Sequence, residues 1–267
     1  MFFKDKYGYV SIRKYNNRKM MVTDASFYDI TPFHYGYGSK DDIITNMHPL
    51  LKQLMEQNPG KLFCDIGCGC GRNLLYACNF ADRLIGVDLS VESLGYAKDF
   101  LKGQKVEFLQ GDNLDIPLDS EIADVVISDG VCHHTGDTKR AFSECVRILK
   151  PKGKLYLAVY KKYRYYPFVY YLIGGFFRFI RKIKLGNYLI DFLFVRIHYM
   201  MYRFIKKKRF SKQETRNIFY DYFITPIASF QSKGDVISWC EDNNCRVINY
   251  SRTSGNCHVF IILKDAK

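Results

Sequence analysis

Between residues 61 and 160 short apolar runs alternate with amphipathic stretches. Leu62-Phe63-Cys64-Asp65-Ile66 is one such run, and Leu84-Ile85-Gly86-Val87-Asp88 is the next. Val106-Glu107-Phe108-Leu109-Gln110 and Ala123-Asp124-Val125-Val126-Ile127-Ser128-Asp129 follow. Runs this short, rich in β-branched residues and bounded by Gly, Asp and Asn, predict buried strands. Helical spacing of apolar positions predicts helices over 72–80, 91–101 and 138–149. A fifth strand is expected from Lys154, after the turn Lys150-Pro151-Lys152-Gly153. Upstream, Ile43, Ile44, Met47, Leu50, Leu51 and Leu54 predict one helix over 41–57, capped by Asp41 or Asp42. Downstream, 234–243 reads as a helix, and 246–251 and 258–263 as strands joined through Ser254-Gly255-Asn256. Strands alternating with helices predict an α/β domain with a mostly parallel sheet covered on both faces.

Two stretches stand outside that alternation. Residues 1–40 are polar and aromatic, with Tyr7, Tyr9, Tyr15, Phe27, Tyr28, Phe33, His34, Tyr35 and Tyr37, and read as an N-terminal cap. Residues 161–230 form a helical, basic and aromatic insertion between the fifth strand and the last helix. The core is then 41–160, completed by 231–267. In the insertion Tyr166, Val169, Tyr170, Ile173, Phe176, Phe177, Ile180 and Ile183 recur at helical spacing. Arg178, Arg181 and Lys182 fall on another face, and a second helix is expected over 188–205, before Lys206-Lys207-Lys208-Arg209. Such a segment suits a helical lid, a membrane interface or a grip on RNA.

The first strand breaks into Gly67-Cys68-Gly69-Cys70-Gly71, directly ahead of a helix. Glycine permits the sharp turns and close ligand approach such a loop needs, and a helix start offers free N–H groups. The spacing differs from the G-x-G-x-x-G of dinucleotide sites. With Asp65 ahead of it, the loop resembles motif I of the class I, Rossmann-like S-adenosylmethionine (SAM)-dependent methyltransferases. Later segments carry the same resemblance. Asp88 follows the glycines at the distance where doubly wound folds hold a ribose. Gly111-Asp112-Asn113 follows the third strand, and Arg147-Ile148-Leu149-Lys150-Pro151-Lys152-Gly153 is similar to the family's R-x-L-K-P-G-G turn, with Lys152 in place of a glycine. The resemblance covers 41–160 and 231–264 and points to a type 11/25-like small-molecule branch.

That resemblance implies a seven-stranded sheet ending in an antiparallel hairpin, with S-adenosyl-L-methionine as cofactor. It implies cofactor contacts at Asp65, Gly67, Gly69, Gly71, Asp88, Leu89, Asp112, Asn113 and Asp129. Asp65 would shape the loop or receive the methionine amino group. Val131-Cys132-His133-His134 resembles the V-x-H-H loop of small-molecule and wobble-uridine tRNA methyltransferases. His134, His133 and Asp129 are the catalytic candidates, because imidazole titrates near neutrality. The alternative role for the histidines is to order the loop. Tyr160 is expected to face the pocket, and Phe223, Thr225 and Ser229 either line the acceptor site or form a plain connection.

Charge narrows the choice of partners. The 267-residue chain carries a net charge of +13, yet 161–216 alone holds 15 Lys and Arg against Asp191 and Glu214. The remaining chain balances at 25 bases and 25 acids. A confined excess marks a surface rather than a generally basic protein. Met1-Phe2-Phe3-Lys4-Asp5 does not read as a secretory signal, and no apolar run reaches the roughly 20 residues a bilayer requires. The nine cysteines form no zinc pattern, so no metal is expected and reduced thiols point to the cytoplasm. The leading expectation is methyl transfer to a small-molecule or lipid-like acceptor, with peripheral membrane contact through 161–210. RNA methylation is the second expectation, and a non-catalytic partner protein the third.

Overall fold

The computed structural model describes residues 2–4, 10–12, 25–30, 40–205, 210–253 and 256–266. The expected features at Tyr7, Tyr9, Tyr15, Phe33, His34, Tyr35, Tyr37, Lys206-Lys207-Lys208-Arg209 and Ser254-Gly255 lie outside the described residues. A short antiparallel pair, β1 (Phe2–Lys4) and β2 (Val10–Ile12), comes first. The main sheet has seven strands: β3 (Leu62–Ile66), β4 (Arg83–Asp88), β5 (Val106–Gln110), β6 (Ala123–Asp129), β7 (Leu149–Tyr160), β8 (Cys245–Arg252) and β9 (Cys257–Lys264). They lie in the order β5-β4-β3-β6-β7-β9-β8, and only β9 runs against its neighbours. This is the expected seven-stranded, mostly parallel sheet with its terminal antiparallel hairpin.

Alternation along the strands sorts the core into two layers. Cys64 and Ile66 of β3, Val126 of β6 and Leu155, Leu157 and Val159 of β7 join one apolar cluster. Phe63, Val125, Ile127, Tyr156 and Ala158 join the other, on the opposite face. Helices α4 (Arg72–Ala77) and α5 (Val91–Phe100) supply Leu74, Ala77 and Leu94 to the second layer. Helix α6 (Thr138–Ile148) supplies Ala141, Phe142 and Cys145 to the first. Each such side chain, fully buried, contributes about 1.5–3 kcal/mol if it is as large as Leu or Phe.

Three expectations are corrected. The helix over 41–57 is two helices, α2 (Lys40–Asn46) and α3 (Pro49–Glu56). Pro49 disfavours helical backbone at His48, which is extended at ψ 133° and caps α3 through its ring nitrogen on the Leu50 N–H. Asp41 and Asp42 lie inside the first turn of α2. The fifth strand begins at Leu149, which pairs with Ala123 before the register jumps to Val125 and Lys154. The intervening residues bulge, and Lys152 adopts φ +66°, the backbone a glycine would supply.

The insertion is also rearranged relative to expectation. It holds helices over 165–180 and 186–205 and a third, unexpected one over 212–224. The third starts at a Ser211–Glu214 capping box and ends in a π turn, Tyr220–Ile224. Phe177, Ile180, Ile190, Val195, Phe219, Tyr220 and Ile224 form a separate small core with Phe27 of α1 (Ala25–Ile30). The expected apolar stripe splits: Tyr166, Tyr170, Phe177 and Ile180 are buried, whereas Ile173, Phe176 and Ile183 are exposed. Arg178 and Arg181 are not a free basic face. Arg178 donates to the Phe223 and Tyr170 carbonyls and lies 4.1 Å over the Tyr170 ring. Arg181 lies over Phe27 and Tyr220. No helix among the described residues is long and apolar enough to cross a membrane.

Candidate active site

Strand order reverses between β4-β3 and β6, and ligands of open α/β sheets bind at the carboxyl ends beside such a switch. A cavity of about 280 Å³ opens there. The loop after β3 gives it Gly67, Cys68, Gly69 and Cys70; the end of β4 and the residue after it give Asp88 and Leu89; the turn after β5 gives Asp112 and Asn113; the end of β6 and the residue after it give Asp129 and Gly130. Tyr160 closes the end of β7, and His134, Tyr28 and Asp221 complete the wall.

The glycine loop is held by its backbone. Gly67 and Cys68 donate their N–H groups to the Val87 carbonyl at 2.7 and 3.0 Å. Gly69 donates to Asp88 Oδ2 at 2.8 Å, while Asp88 Oδ1 accepts from Ser90 N at 2.9 Å. Burial raises the Asp88 pKa, and these N–H donors oppose the rise. Gly67 has φ +75°, and a Cβ there would meet Val131 Cγ1 at 2.4 Å. Gly71 does not line the cavity. It starts α4 at φ +84° and lets the loop pack on Leu101 and Ala97 of the neighbouring helix and its end.

Asp65 stands behind the wall, fully buried, with only a weak contact to the Asn73 amide to offset its burial. Burial and then the Asp129 charge push its pKa up to about 7, with Arg72 opposing. Arg72 pairs with Asp129 at 2.7 Å across the cavity floor. Asp112 Oδ1 accepts from Leu114 N at 2.9 Å, a turn-forming bond, while its side chain still borders the cavity. Asn113 Oδ1 is buried without a partner.

The two histidines differ. His133 lies behind the cavity, fully buried against the Tyr160 ring at 3.7 Å, and burial pushes its pKa well down. It is a neutral packing residue. His134 borders the cavity, and its Nδ1 lies 2.9 Å from the Ile227 carbonyl. A carbonyl only accepts, so Nδ1 carries the hydrogen and Nε2 the lone pair. Nε2 is 4.0 Å from Asp221 Oδ1. Ser229 does not reach the cavity. It braces the histidine turn by donating N–H to the His133 carbonyl at 2.8 Å and bonding Thr138 Oγ1 at 2.6 Å. Phe223 packs in the insertion core and Thr225 is buried, so neither lines the cavity.

Arg72, Tyr28 and Asp221 are wall residues that sequence reasoning missed. Arg72 had a signal: a cation in the first turn of a helix opposes the helix dipole and needs a local reason. Asp221 is delivered by the π turn of an unforeseen helix, and Tyr28 by α1, which Asp29 ties to Ser90 at 2.7 Å. Neither could be placed from local pattern.

The sheet and the crevice at its switch define a Rossmann-like, class I architecture. Residues 64–157 match the family model described as "Methyltransferase domain". A human protein named "Probable tRNA methyltransferase 9B" is 34% identical over 123 residues, 45% of this chain and 26% of that protein. A Triticum aestivum phosphoethanolamine N-methyltransferase is 31% identical over 110 residues, 40% of this chain and 22% of that protein. The chain thus spans about a quarter of the length of such curated relatives. In fold it is similar to magnesium protoporphyrin IX methyltransferase from Synechocystis PCC 6803, solved with bound SAH, at TM-score 0.58 and 16% identity over 90% of this chain and 98% of that one. The PH0226 protein from Pyrococcus horikoshii OT3 gives TM-score 0.58 at 18% identity, over 90% and 99%.

The residues present fit SAM. Its sulfonium and ammonium are cationic, and the wall carries Asp88, Asp112, Asp129 and Asp221 against the guanidinium of Arg72. Asn113 holds a buried oxygen on the wall that lacks a donor, which a polar group of a ligand would supply.

Proposed function

We propose that this chain transfers the methyl group of SAM to a small-molecule or lipid-like acceptor that gives up a proton. The observation that carries the reading is His134 Nε2, a lone-pair nitrogen on the wall of an acidic cavity, with Asp221 behind it. When bound, the cofactor supplies an electrophilic methyl carbon on a sulfonium. Asp88 accepts from the ribose hydroxyls, and Asn113 and Asp112 border the base. Asp65, buried behind the glycine loop, shapes it, and Asp129 on the wall balances the ammonium. Gly67 and Gly69 keep the loop free of side chains where the cofactor lies. His134 takes the acceptor's proton at Nε2, and Asp221 stabilises the imidazolium that results. Tyr160 and Tyr28 give the acceptor side apolar surface.

RNA is the competing acceptor, raised by the tRNA methyltransferase names among the relatives and by the basic insertion. It fits less well, because the exposed insertion surface is aromatic and aliphatic as well as basic.

Two substitutions test the assignment. Asp88→Ala should weaken SAM binding at least tenfold by calorimetry, about 1.4 kcal/mol. His134→Gln should bind SAM within about twofold of wild type, yet lower methyl incorporation into a cell extract at least tenfold. Wild-type affinity in Asp88→Ala, or full turnover in His134→Gln, would contradict the respective role.

A further inference from the structure

Large apolar side chains are exposed in one place. Of the 21 exposed large hydrophobics among the described residues, 18 lie between Tyr163 and Ile205. On the helix over 165–180 they form a stripe, Tyr165, Phe168, Leu172, Phe176 and Phe179, that faces away from buried Tyr166, Tyr170, Phe177 and Ile180. On the helix over 186–205 the stripe is Leu189, Leu193, Ile197, Met200 and Phe204, opposite buried Ile190 and Val195. Spacings of three and four residues keep each stripe on one face. Each helix therefore has two apolar faces, and its own protein core uses only one.

Charge indicates what covers the other. Lys182 and Lys184 are exposed in the link between the two helices, and Arg203 is exposed near the end of the second. Arg196 lies 4.5 Å over the Phe192 ring. Both acids of this segment are engaged within the protein: Asp191 pairs with Arg216 at 3.0 Å, and Glu214 accepts from Ser211 N at 2.6 Å. The outward field is positive. Tyr163, Tyr165, Tyr171 and Tyr188, exposed by 57–80%, add the amphipathic rings that suit a water–lipid boundary.

We infer that the exposed face of the helices over 165–180 and 186–205 docks in the plane of an anionic lipid bilayer. An in-plane pose follows because neither helix is long and apolar enough to cross. A second copy of this chain would bring cation against cation. Nucleic acid would meet the cations but leave Leu, Ile and Met side chains in water. The same insertion carries Asp221 to the cavity wall, so docking would set the cavity beside amphiphiles of the lipid surface. That last step rests on the lipid-like reading of the acceptor; the docking itself does not.

Sedimentation with vesicles tests it. The full chain should pellet with phosphatidylcholine–phosphatidylglycerol vesicles at least tenfold more than with phosphatidylcholine alone, and less as salt rises. Phe168→Ser with Phe179→Ser and Phe204→Ser should cut that binding at least tenfold, and so should Lys182→Glu with Lys184→Glu and Arg203→Glu. All six positions are exposed, so the variants should keep wild-type SAM affinity by calorimetry. Wild type that stays in the supernatant, or variants that pellet like it, would overturn the inference. RNA retention without vesicle binding would overturn it in favour of nucleic acid, and self-association abolished by the serine variants without vesicle binding in favour of a second copy. SAM binding without vesicle binding removes only the docking surface; vesicle binding without SAM binding removes only the methyl-transfer reading.

Discussion

Asp65 carries a charge problem that a proton resolves. Its ordinary pKa of 3.8 rises to about 7 in the fold, chiefly through burial. Below about pH 4 the carboxyl is protonated folded and unfolded, and it costs nothing. From about pH 4 to 7 the unfolded chain ionises while the folded chain keeps its proton, so stability falls with rising pH. The loss is on the order of 4 kcal/mol, complete above about pH 7. Asp65→Asn removes this dependence. Its chemical-denaturation stability should match wild type near pH 4 and exceed it near pH 8, without ligand. A wild type that loses no more than the variant over that range would contradict the buried carboxyl. At this scale the sequence pointed to Asp88, Gly67 and Gly69, which line the cavity, because their placement follows from neighbours in the chain. It did not show that Gly71 and His133 serve packing, or that Asp221 meets His134, because tertiary contacts decide those.

Element boundaries show the same division between local and distant causes. Strands β3, β4 and β6 were legible because short apolar runs buried on both faces have few alternatives. The break between α2 and α3 was legible too, in Pro49, but the apolar spacing across it argued for continuity. The helix over 212–224 was missed because its buried face, Phe219, Tyr220 and Ile224, packs on the insertion's own small core rather than on the sheet. Lys152 makes a sharper case. Its left-handed backbone costs a side-chain-bearing residue about 1 kcal/mol, and the exposed position offers nothing visible in return. Lys152→Gly should raise unfolding free energy by up to about 1 kcal/mol, part of the gain being offset by the freer unfolded chain. A loss of stability in urea would show that the lysine side chain contributes something the backbone strain conceals.

The whole molecule divides its charge and its apolar surface between two parts. The sheet domain is near neutral with a sealed core, and its acidic crevice suits a cationic cofactor. The insertion is basic, exposes most of the large apolar side chains, and still delivers one carboxylate to that crevice. The charge imbalance was readable from the sequence. Which apolar stripe would face outward was not, since the helices are apolar on both sides and only packing chooses. The central claim is methyl transfer from the crevice to an acceptor of low polarity. The most direct measurement incubates the purified chain with methyl-labelled SAM and an extract of its source cells, then counts label in lipid, small-molecule, RNA and protein fractions. Label in the lipid or small-molecule fraction, lost with His134→Gln, is the predicted result. Label in RNA or protein, or none above a no-enzyme control, would contradict it.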